Sequence, residues 1–304
     1  MTLTQMRYIV ALAATEHFGQ AATECFVSQP TLSVAIKKLE EELQVAIFER
    51  RKSGVSPTDI GKRIIAQANV TLQQASIIKE LATIDKDQLN SPLKVGAIHT
   101  IGPYLYPKLV HKVRTIAPQM PLYIEENFTA KLREKLVQGE LDAIIIALPF
   151  SAPDVVTRAL YNEDFLVLVH SEHEWSSKSE IAAQSLVQTE LLLLGKGHCF
   201  RDQILESCAS LTQAFTLEHK TTQGSSLETI RLMVASGLGS SVLPKSAVQS
   251  IRPADNVKVI PFTEPVPGRN VALAWRASFG RTKAIDCLIK AIRSCEMDAD
   301  DKND

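Results

Sequence analysis

Three short helical segments, separated by tight turns, occupy the first 43 residues and constrain the fold more than any other feature of the sequence. The apolar stripe of the first segment consists of Leu3, Met6, Ile9, Val10 and Ala13. This spacing predicts an amphipathic helix with Thr2 or Thr4 as its cap. A brief second helix, QAATECF, is predicted after Gly19. A third begins where Ser28 can cap the chain and Pro30 lies in the first turn.

The third helix has an apolar face and a polar face. Its apolar residues recur at helical spacing, and they are Leu32, Ala35, Ile36, Leu39 and Leu43. The residues predicted to face away from the core are Gln29, Pro30, Ser33, Val34, Lys37 and Lys38. Two short helices, a tight turn and a helix that exposes hydroxyl, amide and ammonium groups predict a helix-turn-helix. In such a motif the last helix enters the major groove of DNA.

A short apolar strand and a basic run follow the third helix. Residues 50–52 are all basic, and Gly54 can turn the chain back, so the sequence predicts a wing that contacts phosphates. Another interpretation stays open at this point, because the glutamates at 40–42 and Glu49 nearly cancel the positive charges. It is a small helical subdomain with an ordinary solvated face.

The segment FGQAATECFVSQPTLSVAIKKLEEELQVAIFER, followed by Thr58 and Gly61, closely resembles the winged helix-turn-helix of the LysR-type transcriptional regulators. In that family the third helix reads the major groove and the wing touches the DNA backbone. By match to this motif, the resemblance assigns DNA contacts to Ser28, Gln29, Pro30, Thr31, Ser33, Lys37 and Arg50. It implies an activator that has promoter DNA and RNA polymerase as partners.

Residues 59–90 follow without a proline. The apolar residues that repeat there at near-heptad spacing are Ile65, Ala68, Leu72, Ala75 and Ala82. This pattern predicts a long helix through which two chains associate, and the family resemblance extends the expected assembly to a tetramer. The alternative is a helix that packs on its own domain.

From Pro92 onward the pattern changes to short apolar or alternating strands, such as LKVGAI, AIIIAL, FLVLVH and LEHKTT, separated by amphipathic helices. This alternation predicts an α/β architecture. The LysR-type resemblance continues here and implies two lobes like those of periplasmic binding proteins, formed by residues 92–161 with 268–296 and by residues 162–267. Ligands of such folds lie between the lobes at the carboxyl ends of strands.

The predicted domain organisation is therefore a winged helix-turn-helix at 1–58, a linker and dimerisation helix at 59–90, a two-lobed regulatory domain at 91–296 and a disordered acidic tail at 297–304. The N-terminus lacks the features of a secretory leader, and no run reaches the roughly 18 apolar residues that span a bilayer. We therefore expect a cytoplasmic protein without a membrane partner. The net charge of −1 excludes a globally basic nucleic-acid binder but allows a local basic surface.

The segment GKGHCFRDQILESC holds two of the five cysteines, and it follows an apolar LLLL strand. An odd number of cysteines in a cytoplasmic protein argues against a structural disulfide framework. A metal site at His198, Cys199 and Cys208 lacks a fourth ligand at convincing spacing, so no metal or cofactor is expected. Reactive thiols or two buried apolar cysteines remain. Because His198, Arg201 and a helix N-terminus adjoin Cys199, we expect a lowered thiol pKa there.

The same segment, together with GAIHTIGPYLYP and ENFT, is similar to the redox region of the hydrogen-peroxide-sensing members of the LysR-type family. The resemblance implies that Cys199 reacts with peroxide and that Cys208 then forms a disulfide with it, which a cellular reductant reverses. The other residues that it places in the peroxide pocket are Thr100, Thr129, His198 and Asp202. It also matches Arg269 to an arginine near the thiolate. Cys25, Cys287 and Cys295 are expected to be structural.

Two other functional classes stay open. One is a LysR-type regulator that responds to a small metabolite bound between the lobes, with incidental cysteines. The other is a thiol peroxidase, but an enzyme of that kind needs no DNA-reading helix. The expected function is thus a peroxide-sensing regulator and not an enzyme.

Overall fold

The computed structural model describes residues 1–51, 54–83, 88–207, 223–249 and 251–300 of the 304-residue chain. The chain divides into two compact units, Met1–Lys86 and Asp87–Asp304. Across the described ranges, no helix has the length and apolar character needed to cross a membrane.

The first unit contains four helices and a two-stranded hairpin among its described residues. In chain order these are α1 (Leu3–Thr15), α2 (Phe18–Glu24), α3 (Gln29–Leu43), β1 (Phe48–Arg51), β2 (Gly54–Pro57) and α4 (Asp59–Thr83). Thr2 caps α1 through a capping box with Gln5, and Ser28 caps α3. The two strands pair antiparallel, as a wing requires. The predicted winged helix-turn-helix is therefore confirmed.

The core of the first unit differs from the predicted stripes at several positions. Leu3 is exposed, whereas Leu12 is fully buried at the centre of this core. Ile65 and Ala68 of α4 are also buried, and they pack against α1 and its neighbours. These two residues are therefore not available as part of a seam to a second chain, and the first half of α4 packs on its own unit.

The second unit is built from strands and helices in alternation. The described elements are β3 (Leu93–Ile98), α5 (Gly102–Ile116), β4 (Leu122–Asn127), α6 (Thr129–Val137), β5 (Ala143–Ala147), β6 (Val155–His170), β7 (Leu191–Leu194), α7 (Cys199–Ser207), β8 (Gln223–Gly224), α8 (Leu227–Ala235), β9 (Ser240–Pro244), α9 (Lys245–Val248), β10 (Val257–Pro261), β11 (Gly268–Arg276) and α10 (Thr282–Asp300).

Nine of these strands form one sheet in the order β4-β3-β5-β11-β6-β9-β7-β8, with β10 paired to β6. The long strand β6 pairs first with β11 and then, toward its end, with β9 and β10. Two separate cores pack on this sheet. One extends over residues 93–160 and 271–295, and the other over residues 165–262. The predicted two-lobed α/β fold is confirmed.

Two details of the second unit correct the sequence analysis. The last helix continues through Asp300, so the beginning of the predicted acidic tail is helical. The strand β6 starts at Val155, well before the FLVLVH segment. Its first half is mostly exposed and lacks an apolar run, so the residues there carry no strand signal. A strand expected at LEHKTT lies outside the described residues.

Candidate functional site

A small pocket lies in the second unit where β3, β4 and the loop after β7 end. Its empty volume is about 180 Å³, part of it open to solvent. The residues that line it are Ile98, His99, Thr100, Asn127, Phe128, Thr129, Gly197, His198 and Cys199. Both β3 and β4, which are parallel neighbours, present their carboxyl ends here, which is where α/β sheets bind ligands. Four of the predicted peroxide-site residues are thus brought together: Thr100, Thr129, His198 and Cys199.

Cys199 is the first residue of α7 and is half-buried in the pocket wall. Burial raises the pKa of its thiol above the ordinary value, because an anionic thiolate loses hydration there. The Thr129 hydroxyl and the positive charge of Arg269 act in the opposite direction and lower the pKa. The Phe200 N–H, at the helix N-terminus, lowers the pKa as well. The expectation of a lowered pKa is therefore wrong, since the burial of the thiol outweighs these groups.

The two neighbouring bases that the sequence suggested are not the source of positive charge at Cys199. Arg201 donates from Nη1 to the carbonyl oxygen of Leu194, 3.2 Å away. Burial lowers the pKa of His198, and electrostatic repulsion from the neighbouring His99 lowers it further, which favours a neutral imidazole at neutral pH. The cation that lowers the pKa of Cys199 comes from β11, far away in the sequence.

That cation is Arg269, whose guanidinium is buried in the second unit. Its Nε donates to Glu163 Oε2 over 2.8 Å, and Nη2 lies 2.7 Å from the same oxygen. Its Nη1 donates to Thr100 Oγ1 over 2.8 Å, and Nη2 donates to the Thr100 carbonyl over 2.9 Å. The guanidinium carbon also lies 5.5 Å from the centre of the Phe200 ring. Arg269 therefore does not line the pocket itself but contacts Thr100, which does.

The Thr129 hydroxyl belongs to the first residue of α6, which also lines the pocket. Its Oγ1 is buried and makes no hydrogen bond of standard geometry within the described part of the chain. It is nevertheless close enough to the thiol to favour the thiolate. A buried hydroxyl that lacks a regular partner is suited to bind a small polar ligand.

One predicted site residue lies outside the pocket. Asp202 is exposed in the first turn of α7 and does not line the cavity, although its negative charge raises the pKa of Cys199. Cys208 lies outside the described residues. Cys25, Cys287 and Cys295 are at other places in the chain, the last two buried in the core of the first lobe.

Sequence reasoning missed His99, Phe128 and Glu163. The rings of His99, Phe128 and His198 pack edge to face, with centroids 4.7 to 5.7 Å apart. The Nδ1 of His99 is buried without a hydrogen-bond partner among the described residues. Histidine and phenylalanine at a strand end carry no local signal for a pocket, and the Glu163 to Arg269 pairing depends on sheet register.

The predicted DNA-reading residues lie together on the first turns of α3 and in the hairpin. Ser28, Gln29, Pro30, Thr31 and Lys37 are exposed, and Ser33 is half-buried. The hydroxyl oxygens of Ser28 and Thr31 are 2.8 Å apart. The backbone of Arg50 lies in β1, opposite Val55, but its side chain is outside the described part of the structure. The helix thus presents small polar groups and a lysine to solvent.

Comparison with known proteins agrees with this architecture. Residues 3–62 match the family described as bacterial regulatory helix-turn-helix protein, lysR family, and residues 86–295 match the LysR substrate binding domain. The chain belongs to the LysR family of bacterial DNA-binding transcriptional regulators, and it is a regulator and not an enzyme.

Within this family the chain is similar to OxyR. It is 35% identical to the DNA-binding transcriptional dual regulator OxyR of Escherichia coli K12 over 294 aligned residues. The alignment covers 97% of this chain and 95% of that protein. It is 36% identical to the hydrogen peroxide-inducible genes activator of Haemophilus influenzae, with 91% of each protein covered. A full-length OxyR structure from Pseudomonas aeruginosa is 58% identical, with a TM-score of 0.81 over 96% of this chain and 95% of that chain.

Proposed function

We propose that this chain is a transcriptional regulator that senses hydrogen peroxide through Cys199 and Cys208. The observation that carries the proposal is the pocket in which the Cys199 thiol, two threonine hydroxyls and a buried arginine converge. The names of the relatives, which include hydrogen peroxide-inducible genes activators, support the same chemistry. The pocket is small, which suits a ligand of two oxygen atoms better than a large metabolite.

In the first step the Cys199 thiolate attacks one peroxide oxygen and the O–O bond breaks. The thiolate is oxidised to a sulfenic acid, and the departing hydroxide takes up one proton to leave as water. The proton that the thiol released balances this step. Thr100 and Thr129 hold the two oxygens, and His198 contributes a neutral imidazole. Asp202, which is exposed, is proposed to act through solvent at the mouth of the site.

In the second step the Cys208 thiol attacks the sulfenic acid and expels water, which forms the disulfide. The nine residues of α7 rise about 12 Å from the first Cα to the last at about 1.5 Å per residue. A disulfide needs Cα atoms within roughly 4.4–6.8 Å, and one more residue adds only about 3.8 Å of reach. The last turns of α7 therefore have to open before the bond can form, and this opening is the conformational signal.

The conformational change is proposed to alter how the protein binds DNA. Ser28, Gln29, Pro30, Thr31 and Ser33 are proposed to face bases or nearby phosphates, with Lys37 and Arg50 on the backbone. We assign residues 1–58 to DNA binding and 91–296 to peroxide sensing. Residues 59–90 are assigned to the linker and to self-association through the second half of α4, because its first half packs on its own unit. The protein is further proposed to be a cytoplasmic tetramer that contacts RNA polymerase at promoters. A cellular disulfide reductant returns it to the reduced state.

The test uses the full-length reduced protein and less than one equivalent of hydrogen peroxide. Mass spectrometry should find oxidation at Cys199 before Cys25, Cys287 or Cys295, and Cys199→Ser should abolish the response. Footprints on DNA fragments selected for binding should change with peroxide and revert with dithiothreitol. Equal oxidation of all the cysteines, or a footprint that responds to a metabolite panel and not to peroxide, would contradict the proposal.

A further inference from the structure

Glu163 is a buried carboxylate that no step of the peroxide chemistry has yet used. It lies on β6, directly opposite Arg269 on β11, and only 4% of its surface is exposed. Its Oε2 accepts a hydrogen bond from Arg269 Nε over 2.8 Å and lies 2.7 Å from Nη2 in the same ion pair. Its Oε1 accepts the backbone N–H of Ser246 in the first turn of α9, 2.9 Å away. Glu163 thus connects Arg269 on β11 with β6 and, through Ser246, with the helix α9.

A buried ion pair of this kind is weak evidence for stability, because the desolvation of two charges offsets most of their attraction. The pair does have a directional effect. One hydrogen bond and one close ion-pair contact to Glu163 Oε2 orient the guanidinium, and Nη1 and Nη2 donate to the hydroxyl and the carbonyl of Thr100. Glu163 therefore holds Arg269 in place, and Arg269 in turn donates hydrogen bonds to Thr100.

The consequence appears at the Thr100 hydroxyl, which lines the pocket and is almost fully buried. A hydroxyl has one hydrogen to donate and two lone pairs that can accept. Because Arg269 donates to Thr100 Oγ1, one lone pair is occupied and the hydroxyl hydrogen is directed elsewhere. None of the described residues accepts that hydrogen, and the cavity adjoins the hydroxyl. A ligand in the pocket can therefore accept a hydrogen bond from this hydroxyl.

We propose that Glu163 is a positioning residue for peroxide reduction, because it fixes Arg269 against Thr100 and so turns the Thr100 hydroxyl into a donor toward the peroxide. This inference rests on the proposed function. The donor favours the peroxide oxygen that gains negative charge as the O–O bond breaks. The proton balance of the step is unchanged, because Thr100 donates a hydrogen bond and keeps its proton.

The experiment compares two reactions of Cys199 in the full-length protein. Oxidation by hydrogen peroxide uses the Thr100 donor, whereas alkylation by iodoacetamide needs only the thiolate. Glu163→Gln should slow peroxide oxidation about tenfold, the loss expected for one well-placed hydrogen bond, and change alkylation less than about twofold. Asp255→Asn, which breaks the partly buried ion pair with Arg231 at 3.0 Å in the same lobe, is the matched control and should change neither rate.

Thr100→Val tests the same donor without touching the ion pair. It should show the same selective loss, and the double variant should lose little more than either single variant, because both changes remove one interaction. An unchanged peroxide rate in Glu163→Gln or Thr100→Val, an equal fall of both reactions, or multiplied losses in the double variant would overturn the inference. If the unsubstituted protein shows no selective Cys199 oxidation, the proposed function fails instead.

Discussion

Replacement of Ile204 by alanine is expected to speed disulfide formation without changing the first oxidation step. Ile204 lies in the middle of α7 and is 3% exposed, and together with Phe200 it anchors that helix to the core of the second lobe. Its side chain does not line the pocket around Cys199. The substitution therefore acts on the attachment of α7 and leaves the peroxide site in place.

The magnitude follows from burial. An Ile to Ala change at a fully buried site costs about 2–5 kcal/mol of stability. Part of this loss destabilises the folded, closed form of α7 relative to the form in which its last turns are open. If about 2 kcal/mol falls there, the opened form becomes roughly 30 times more populated. Where opening precedes bond formation, the rate of disulfide closure from the sulfenic acid should rise by up to the same factor.

The assay follows the sulfenic acid and the disulfide separately by mass spectrometry, with a sulfenic-acid-specific trap added at intervals after a peroxide pulse. The matched control is Ile230→Ala, which removes the same atoms from α8 in the same core at 1% exposure. Both variants should lose similar global stability, but only Ile204→Ala should close faster. Equal closure rates in both variants would refute the idea that opening of α7 limits disulfide formation.

Two further predictions concern charge. Burial raises the pKa of Cys199, so its alkylation rate should keep rising with pH above about 8.5, where an ordinary thiol titrates. An alkylation midpoint for Cys199 at or below that of Cys25 in the denatured protein would contradict the raised pKa. Because the folded-state pKa is raised, the contribution of this thiol to stability is present below the unfolded-state pKa and is lost as the pH rises through the folded-state pKa. Lys37→Ala should weaken binding to all DNA sequences and flatten the slope of log K against log salt by roughly one unit, whereas the exposed Lys94→Ala of the second unit should not.

Local signals explain which parts of the fold the sequence predicted well. The helix caps at Thr2 and Ser28 depend on residues three positions away, and the chain contains both partners within one turn. The strands β5 and β7 are continuous apolar runs, and β3 is interrupted only by the exposed Lys94, as expected for largely buried strands. These elements could be placed without knowledge of the tertiary structure.

The parts that the sequence could not predict depend on contacts between distant segments. The direction of the Cys199 pKa shift is set by burial, which neighbouring residues in the sequence do not reveal. The same is true of Ile65, whose apolar spacing fits a partner chain and its own core equally well. The pairing of Glu163 with Arg269 requires the register of β6 against β11, and nothing in either segment specifies it.

The continuous strand β6 has a consequence for how this regulatory domain can evolve. Its 16 residues serve the first lobe with one half and the second lobe with the other. A chimera of two relatives joined near residue 161 would take one half of β6 from each parent. Exchange of a lobe therefore requires that both halves keep their pairing, with β11 on one side of the junction and with β9 and β10 on the other.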